Sequence, residues 1–128
     1  MNAFDALNAA ADHIEAHPDT YDFHQGMVRA DPRSYACMLA HVGRIAGARP
    51  GMDHYTISLD ILGVRPQQFY ERIGNALPYR AKGAYTSYGN PADAKLTAAA
   101  MRKVATKYYG IPAGIKKIFA RKRITTTA

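Results

Sequence analysis

Five histidines, one cysteine and ten carboxylates are the groups in this 128-residue chain that could hold a metal or move a proton. The histidines His13, His17, His24, His41 and His54 all lie in the first half. On a helix His13 and His17 would stand one turn apart on the same face, a spacing that can hold a transition metal. Glu15 between them falls on the opposite side, so the zinc-protease arrangement is excluded. Spacing implies no third ligand. The expected state is a solvated pair, with His17 near a helix C-terminus, where positive charge is favoured. Cys37 and His41 are also four residues apart. A nucleophilic cysteine needs an electropositive, partly exposed setting. Cys37 instead adjoins Met38 and Leu39, so a packed structural thiol is expected. The ten glycines are scattered singly, with no phosphate-cradling loop. No spacing pairs the carboxylates for acid–base work. The expectation is a non-enzymatic chain with no catalytic residue, no metal and no cofactor.

Charge is the stronger signal. Residues 1–71 hold nine acidic and five basic residues, formally −4, whereas 72–128 hold twelve basic residues against Asp93 alone, formally +11. From Ala94 onward there are nine basic residues and no acidic one. Such a segment generates a positive potential suited to a polyanion, either nucleic acid or an acidic protein surface. The loop from Tyr79 to Tyr88 interleaves three tyrosines with Arg80 and Lys82. Rings beside cations can stack single-stranded bases, although tyrosines also pack loops onto helices.

The elements that must position these residues read as helices throughout. Asn2 can cap a helix whose apolar positions are Phe4, Leu7, Ala11 and Ile14, limited by Pro18. Residues 18–31 read as a loop. Asp31-Pro32 reads as the start of a central helix bearing one apolar stripe (Tyr35, Met38, Leu39, Val42, Ile45, Ala46). A second stripe of small residues (Ala36, Ala40, Gly43, Gly47) would admit another helix at close range. After a turn over 48–53, Tyr55, Leu59 and Leu62 suggest a short helix ended by Gly63. Pro66 can open another, carrying Phe69, Tyr70, Ile73 and Leu77. Residues 78–90 read as a long loop. Asn90-Pro91-Ala92-Asp93 starts a helix running to Tyr109 and stopped by Gly110. Its apolar positions are Leu96, Ala100, Val104 and Tyr108, with Lys95, Arg102, Lys103 and Lys107 facing outward. A last helix is expected over 112–123 and a frayed tail over 124–128. The fold expected is all-α: one domain over 1–128, of five or six helices, with an acidic part over 1–71 and a basic helical pair over 91–123. No apolar run approaches the ~20 residues that span a bilayer. One cysteine and no N-terminal signal pattern fit the cytoplasm, with no membrane partner.

Two segments resemble the helix-turn-helix motif of DNA-binding proteins. In residues 58–73 the sequence Leu62-Gly63-Val64, with Phe69 six positions after the glycine, fills the motif's apolar and turn places. The resemblance implies that Arg65, Gln67, Gln68 and Arg72 face the groove, where glutamine can pair with adenine and arginine with guanine. Leu59 replaces the usual alanine, and Arg72 stands where an apolar residue is expected. In residues 104–119, Val104, Ala105, Tyr108, Ile115 and Ile118 fall on the apolar positions, with Gly110 one residue late. Its second helix would carry Lys116, Lys117, Arg121 and Lys122, charges suited to phosphate contact. Residues 11–64 are also similar to a group of small uncharacterised bacterial and phage proteins. The matching pieces are Asp12-His13-Ile14-Glu15, Pro18, Tyr21-Asp22, Cys37, Ala46-Gly47 and Leu62-Gly63, without that group's upstream Cys-Gly pair and tryptophan. That resemblance points to a phage or prophage accessory protein and carries over no particular activity. Together these features predict binding of nucleic acid, DNA before RNA. The alternative is an interaction module that docks its basic surface on an acidic partner.

Overall fold

The computed structural model describes residues 1–110. The helix expected over 112–123, the tail over 124–128, most of the second helix-turn-helix segment, and Lys116, Lys117, Arg121 and Lys122 lie outside the described residues.

Local chemistry sets most of the helix boundaries. α1 spans Ala3–Ala16, and the Asn2 side chain accepts from Asp5 N–H at 2.8 Å, satisfying one orphan donor of the first turn. Its buried face is Ala6, Leu7, Ala10, Ala11 and Ile14. α2 spans Met38–Ile45. α3 spans His54–Ile57 and continues as a wider π-helical turn over Ser58–Leu62; Asp53 caps it by accepting from Thr56 N–H at 2.9 Å. Gly63 then takes a left-handed conformation (φ 71°), which a Cβ would disfavour, and the chain turns into α4, Pro66–Ala76. α5 spans Pro91–Val104, with Asn90 accepting from Asp93 N–H at 3.0 Å. It too widens into a π-helical turn, Ala105–Tyr109.

The chain is all-α: five α-helices and three short 3-10 turns, with only isolated bridges and no sheet among the described residues. α1 packs against α2 and α5, and α5 packs in turn against α4. Leu7, Ile14, Met38, Leu39, Ile57, Phe69, Ile73 and Met101 are fully buried between them. Gly43 of α2 is where α3 comes closest, since a Cβ there would lie 2.5 Å from Ile57 Cδ1. No helix among the described residues is long and apolar enough to cross a membrane.

Three expectations are corrected. Asp31-Pro32 does not open α2. The Asp31 carboxylate caps a turn instead, accepting from Arg33 N–H at 2.9 Å. Residues 36 and 37 are committed elsewhere: Ala36 N–H donates to Thr20 O at 2.9 Å, Asp22 N–H to Ala36 O at 3.1 Å, and Cys37 N–H to Gln25 O at 2.9 Å. The helix begins only after these bonds, with Cys37 Sγ accepting from Ala40 N–H at 3.4 Å as its cap. Tyr35 therefore leaves the stripe and meets Tyr88 edge-on at the surface. In α3 and its π turn the core is reached by Ile57 and Leu62, while Tyr55 and Leu59 are exposed. In α5 the buried stripe is Ala94, Thr97, Ala98, Ala100, Met101 and Val104; Leu96 is half-buried and Tyr108 exposed.

Candidate functional site

The helix α4 and its N-cap carry four of the sequence-predicted residues, Arg65, Gln67, Gln68 and Arg72. Phe69 and Ile73 anchor the helix in the core, and Tyr70 is half-buried. The same periodicity turns Gln67, Gln68, Glu71 and Asn75 to solvent. Arg65, at the N-cap, is exposed too. On one side of α4 lies an open groove of about 900 Å³ lined by Gln67, Tyr70, Glu71, Asn75, Lys82 and Tyr85. Within its lining the Tyr70 and Tyr85 rings stack, with centroids 5.8 Å apart and 15° between their planes. On the other side a pocket of about 160 Å³ is lined by Arg72, Asn75, Ala76, Lys103, Lys107 and Tyr108. Asn75 borders both, so the helix stands as a ridge between an aromatic groove and a cationic pocket.

The π-helical turn at the end of α5 builds the cationic side. The Arg72 guanidinium lies 3.9 Å from the centre of the Tyr108 ring, and its Nη1 donates to Tyr109 Oη at 3.2 Å. Tyr109 donates onward to Leu62 O at 2.7 Å, fastening the end of α5 to the turn that precedes α4. Burial raises the Tyr109 hydroxyl pKa above its ordinary value, with Arg72 acting the other way. Lys103 and Lys107 are exposed beside this arrangement, and with Arg102 and Thr106 they line a shallow depression of about 480 Å³.

The remaining predicted residues divide by what holds them. Arg102 does not point freely outward: it bonds Asp12 at 2.8 Å and Glu15 at 2.7 Å on α1. Lys82 is committed to the end of α4, donating to Gly74 O at 2.8 Å and Leu77 O at 3.1 Å. Arg80 and Lys95 are exposed, and neither lines the groove or the cationic pocket. In the loop after α4, Tyr79 and Tyr88 are exposed while Tyr85 packs against Tyr70 and Phe23. Cys37 is 1% exposed and its thiol is pushed up by burial, as expected of a structural cysteine. The solvated histidine pair is corrected: His17 is exposed, but His13 is half-buried with its ring 5.0 Å from that of buried His41.

Sequence reading missed Asn75, Tyr108 and Tyr109 as parts of this surface. Asn75 carried a signal, since Gln67, Glu71 and Asn75 recur every four residues as a polar stripe. The two tyrosines carried none, because their directions depend on the π-helical widening. No protein-family model matches the chain, and no curated protein or solved structure matches it.

Proposed function

We propose that the chain is a non-enzymatic nucleic-acid-binding protein that presents α4 and the end of α5 to duplex DNA. The observation that carries the reading is the placement of solvent-facing Gln67 and Gln68 on the helix that follows the Gly63 turn, with Lys103 and Lys107 beside that same helix. Amide side chains can pair bidentately with adenine in the major groove, while lysines contact phosphates without regard to sequence. The Tyr109–Leu62 bond supports the reading because it couples the phosphate-contacting and base-contacting elements into one body. Glu71 is the one carboxylate lining the groove or the pocket, and it would sit over the duplex where it discriminates against misplaced phosphate. Lys116, Lys117, Arg121 and Lys122 add charge to the same half of the sequence. A role as a phage or prophage accessory protein fits this reading.

The experiment is a titration of two unrelated labelled duplexes and a single strand at several salt concentrations, after nuclease treatment of the protein. Joint replacement of Lys103 and Lys107 by alanine should weaken binding to both duplexes alike. It should also flatten the slope of log affinity against log salt by roughly 0.9 per lost phosphate contact. Replacing Gln67 and Gln68 should leave that slope unchanged and alter the preference between duplexes. Absence of binding to any nucleic acid at low salt refutes the reading. The basic surface would then be assigned to docking on an acidic protein.

A further inference from the structure

His13 and His17 of α1 and His41 of α2 form a cluster that the proposed DNA-binding face does not use. The His13 ring centre lies 5.0 Å from that of His17 and 5.0 Å from that of His41. His41 is 1% exposed, and its Nε2 lies 2.9 Å from the Thr20 carbonyl oxygen. A carbonyl can only accept, so Nε2 carries the proton and Nδ1 is left as a bare lone pair. Among the described residues that Nδ1 is buried without a partner. On His13 it is Nε2 that is buried without a partner among the described residues.

Buried His41 and half-buried His13 therefore each carry one bare nitrogen, and on His41 the other nitrogen is held by a backbone carbonyl. Such outer-shell carbonyls fix the tautomer and direction of metal-ligating histidines. The arrangement also leaves two buried polar atoms that need a partner. His17 stands at a cavity of about 420 Å³ that it lines with His13, Asp19, Thr20, Pro32 and Arg33. Burial disfavours the charged form of His13 and His41. Burial, then His13 and Arg44, lowers His41 to about 4, with the Thr20 hydrogen bond opposing. Burial, then Arg44 and His17, lowers His13, with Pro32 and Asp19 opposing. Arg44 and Arg33 disfavour a cation here and Asp19 favours one; Arg33 is itself paired with Asp31 at 3.1 Å. Among the described residues no three such side chains already converge as a coordination sphere. The exposed His17 is the ligand that must turn to complete one.

We propose that this cluster binds one late transition-metal ion, Zn²⁺ in the first instance, through His13 Nε2, His41 Nδ1 and a reoriented His17, with water as the fourth ligand. The ion would clip α1 to α2 and give both bare nitrogens a partner. Three imidazoles and a water form a set that zinc accepts.

The test uses the full tag-free chain, stripped with chelator, titrated calorimetrically with ZnCl₂ at neutral pH. The expected result is one ion per chain. His17→Ala, at an exposed position, should stay folded and weaken binding by at least about tenfold, the lower end of the effect of removing even an outer-shell partner. His24→Ala should leave it unchanged. Co²⁺ should give the absorption of a tetrahedral site in the parent and lose it in His17→Ala. No stoichiometric binding overturns the proposal, and the two bare nitrogens would then be bridged by buried water. Equal affinity in folded His17→Ala, or equal weakening by His24→Ala, overturns it as well, because the ion would be held elsewhere.

Discussion

Acid should destabilise this protein through His41 well before its carboxylates protonate. The ring is 1% exposed and burial holds its pKa at about 4, against an ordinary value of 6.5. The unfolded chain takes up this proton near pH 6.5, whereas the folded chain refuses it until about pH 4. The stabilising contribution is therefore complete above 6.5 and is lost as pH falls toward 4. The linkage relation gives a loss of about 2 kcal/mol between pH 7 and pH 5, and about 3 kcal/mol once both states are protonated. With a urea m-value of ~2 kcal/mol/M, the unfolding midpoint should fall by about 1 M between pH 7 and 5 from this residue alone. The assay is urea unfolding at the two pH values, followed by far-UV circular dichroism because the chain has no tryptophan, with chelator present. His41→Gln keeps an amide donor for Thr20 O and removes the titration. Its loss between pH 7 and 5 should be smaller than the parent's by about 2 kcal/mol. His13, also lowered, acts in the same direction in both proteins. Equal losses in parent and variant would refute the assignment.

Three further outcomes are expected. Gly43→Ala places a Cβ 2.5 Å from Ile57 Cδ1, so the Ile57 side chain must repack or α2 and α3 must separate; urea unfolding should show a loss of about 1–3 kcal/mol. Gly63→Ala meets no atom of the described residues within 4 Å, so its expected cost is that of the left-handed backbone, about 1 kcal/mol by the same assay; a much larger loss would contradict this. Cys37, buried with its thiol raised by burial, should react with a thiol reagent only as fast as the protein opens, and a rapid native-state reaction would contradict its role as the α2 cap.

The features legible in the sequence were those decided within a few residues. Asn2 and Asn90 cap helices through side-chain oxygens three positions from the donors they satisfy, and Gly63 ends a helix by its own backbone freedom. Asp31-Pro32 misled because an aspartate-capped turn and a helix start share one local pattern. The bonds of Ala36 to Thr20 and of Cys37 to Gln25 decided between them, and nothing near residue 31 announces those bonds. Gln67 and Gln68 are exposed on α4, where the helix-turn-helix resemblance implied outward-facing residues. Arg102 was not readable as a structural residue, because its partner Asp12 is 90 positions away. His41 joins His13 for the same reason: only the packing of α1 on α2 brings them together.

The docking of α1 on α5, locked by Arg102 to Asp12 and Glu15, also dictates when this chain can fold. During synthesis α1 leaves the ribosome with Leu7, Ala10, Ala11 and Ile14 ready for burial, and its main partner is not yet made. A short helix has little stability without packing, so α1 must wait through the synthesis of every intervening element, exposed or loosely collapsed on α2. At roughly 5–20 residues per second that interval is several seconds, far longer than helix formation itself. The contact of highest sequence separation is thus the one that completes the core. Folding should be slower than is usual for an all-helical chain of this size, and truncation before Pro91 should leave a collapsed but unfixed product.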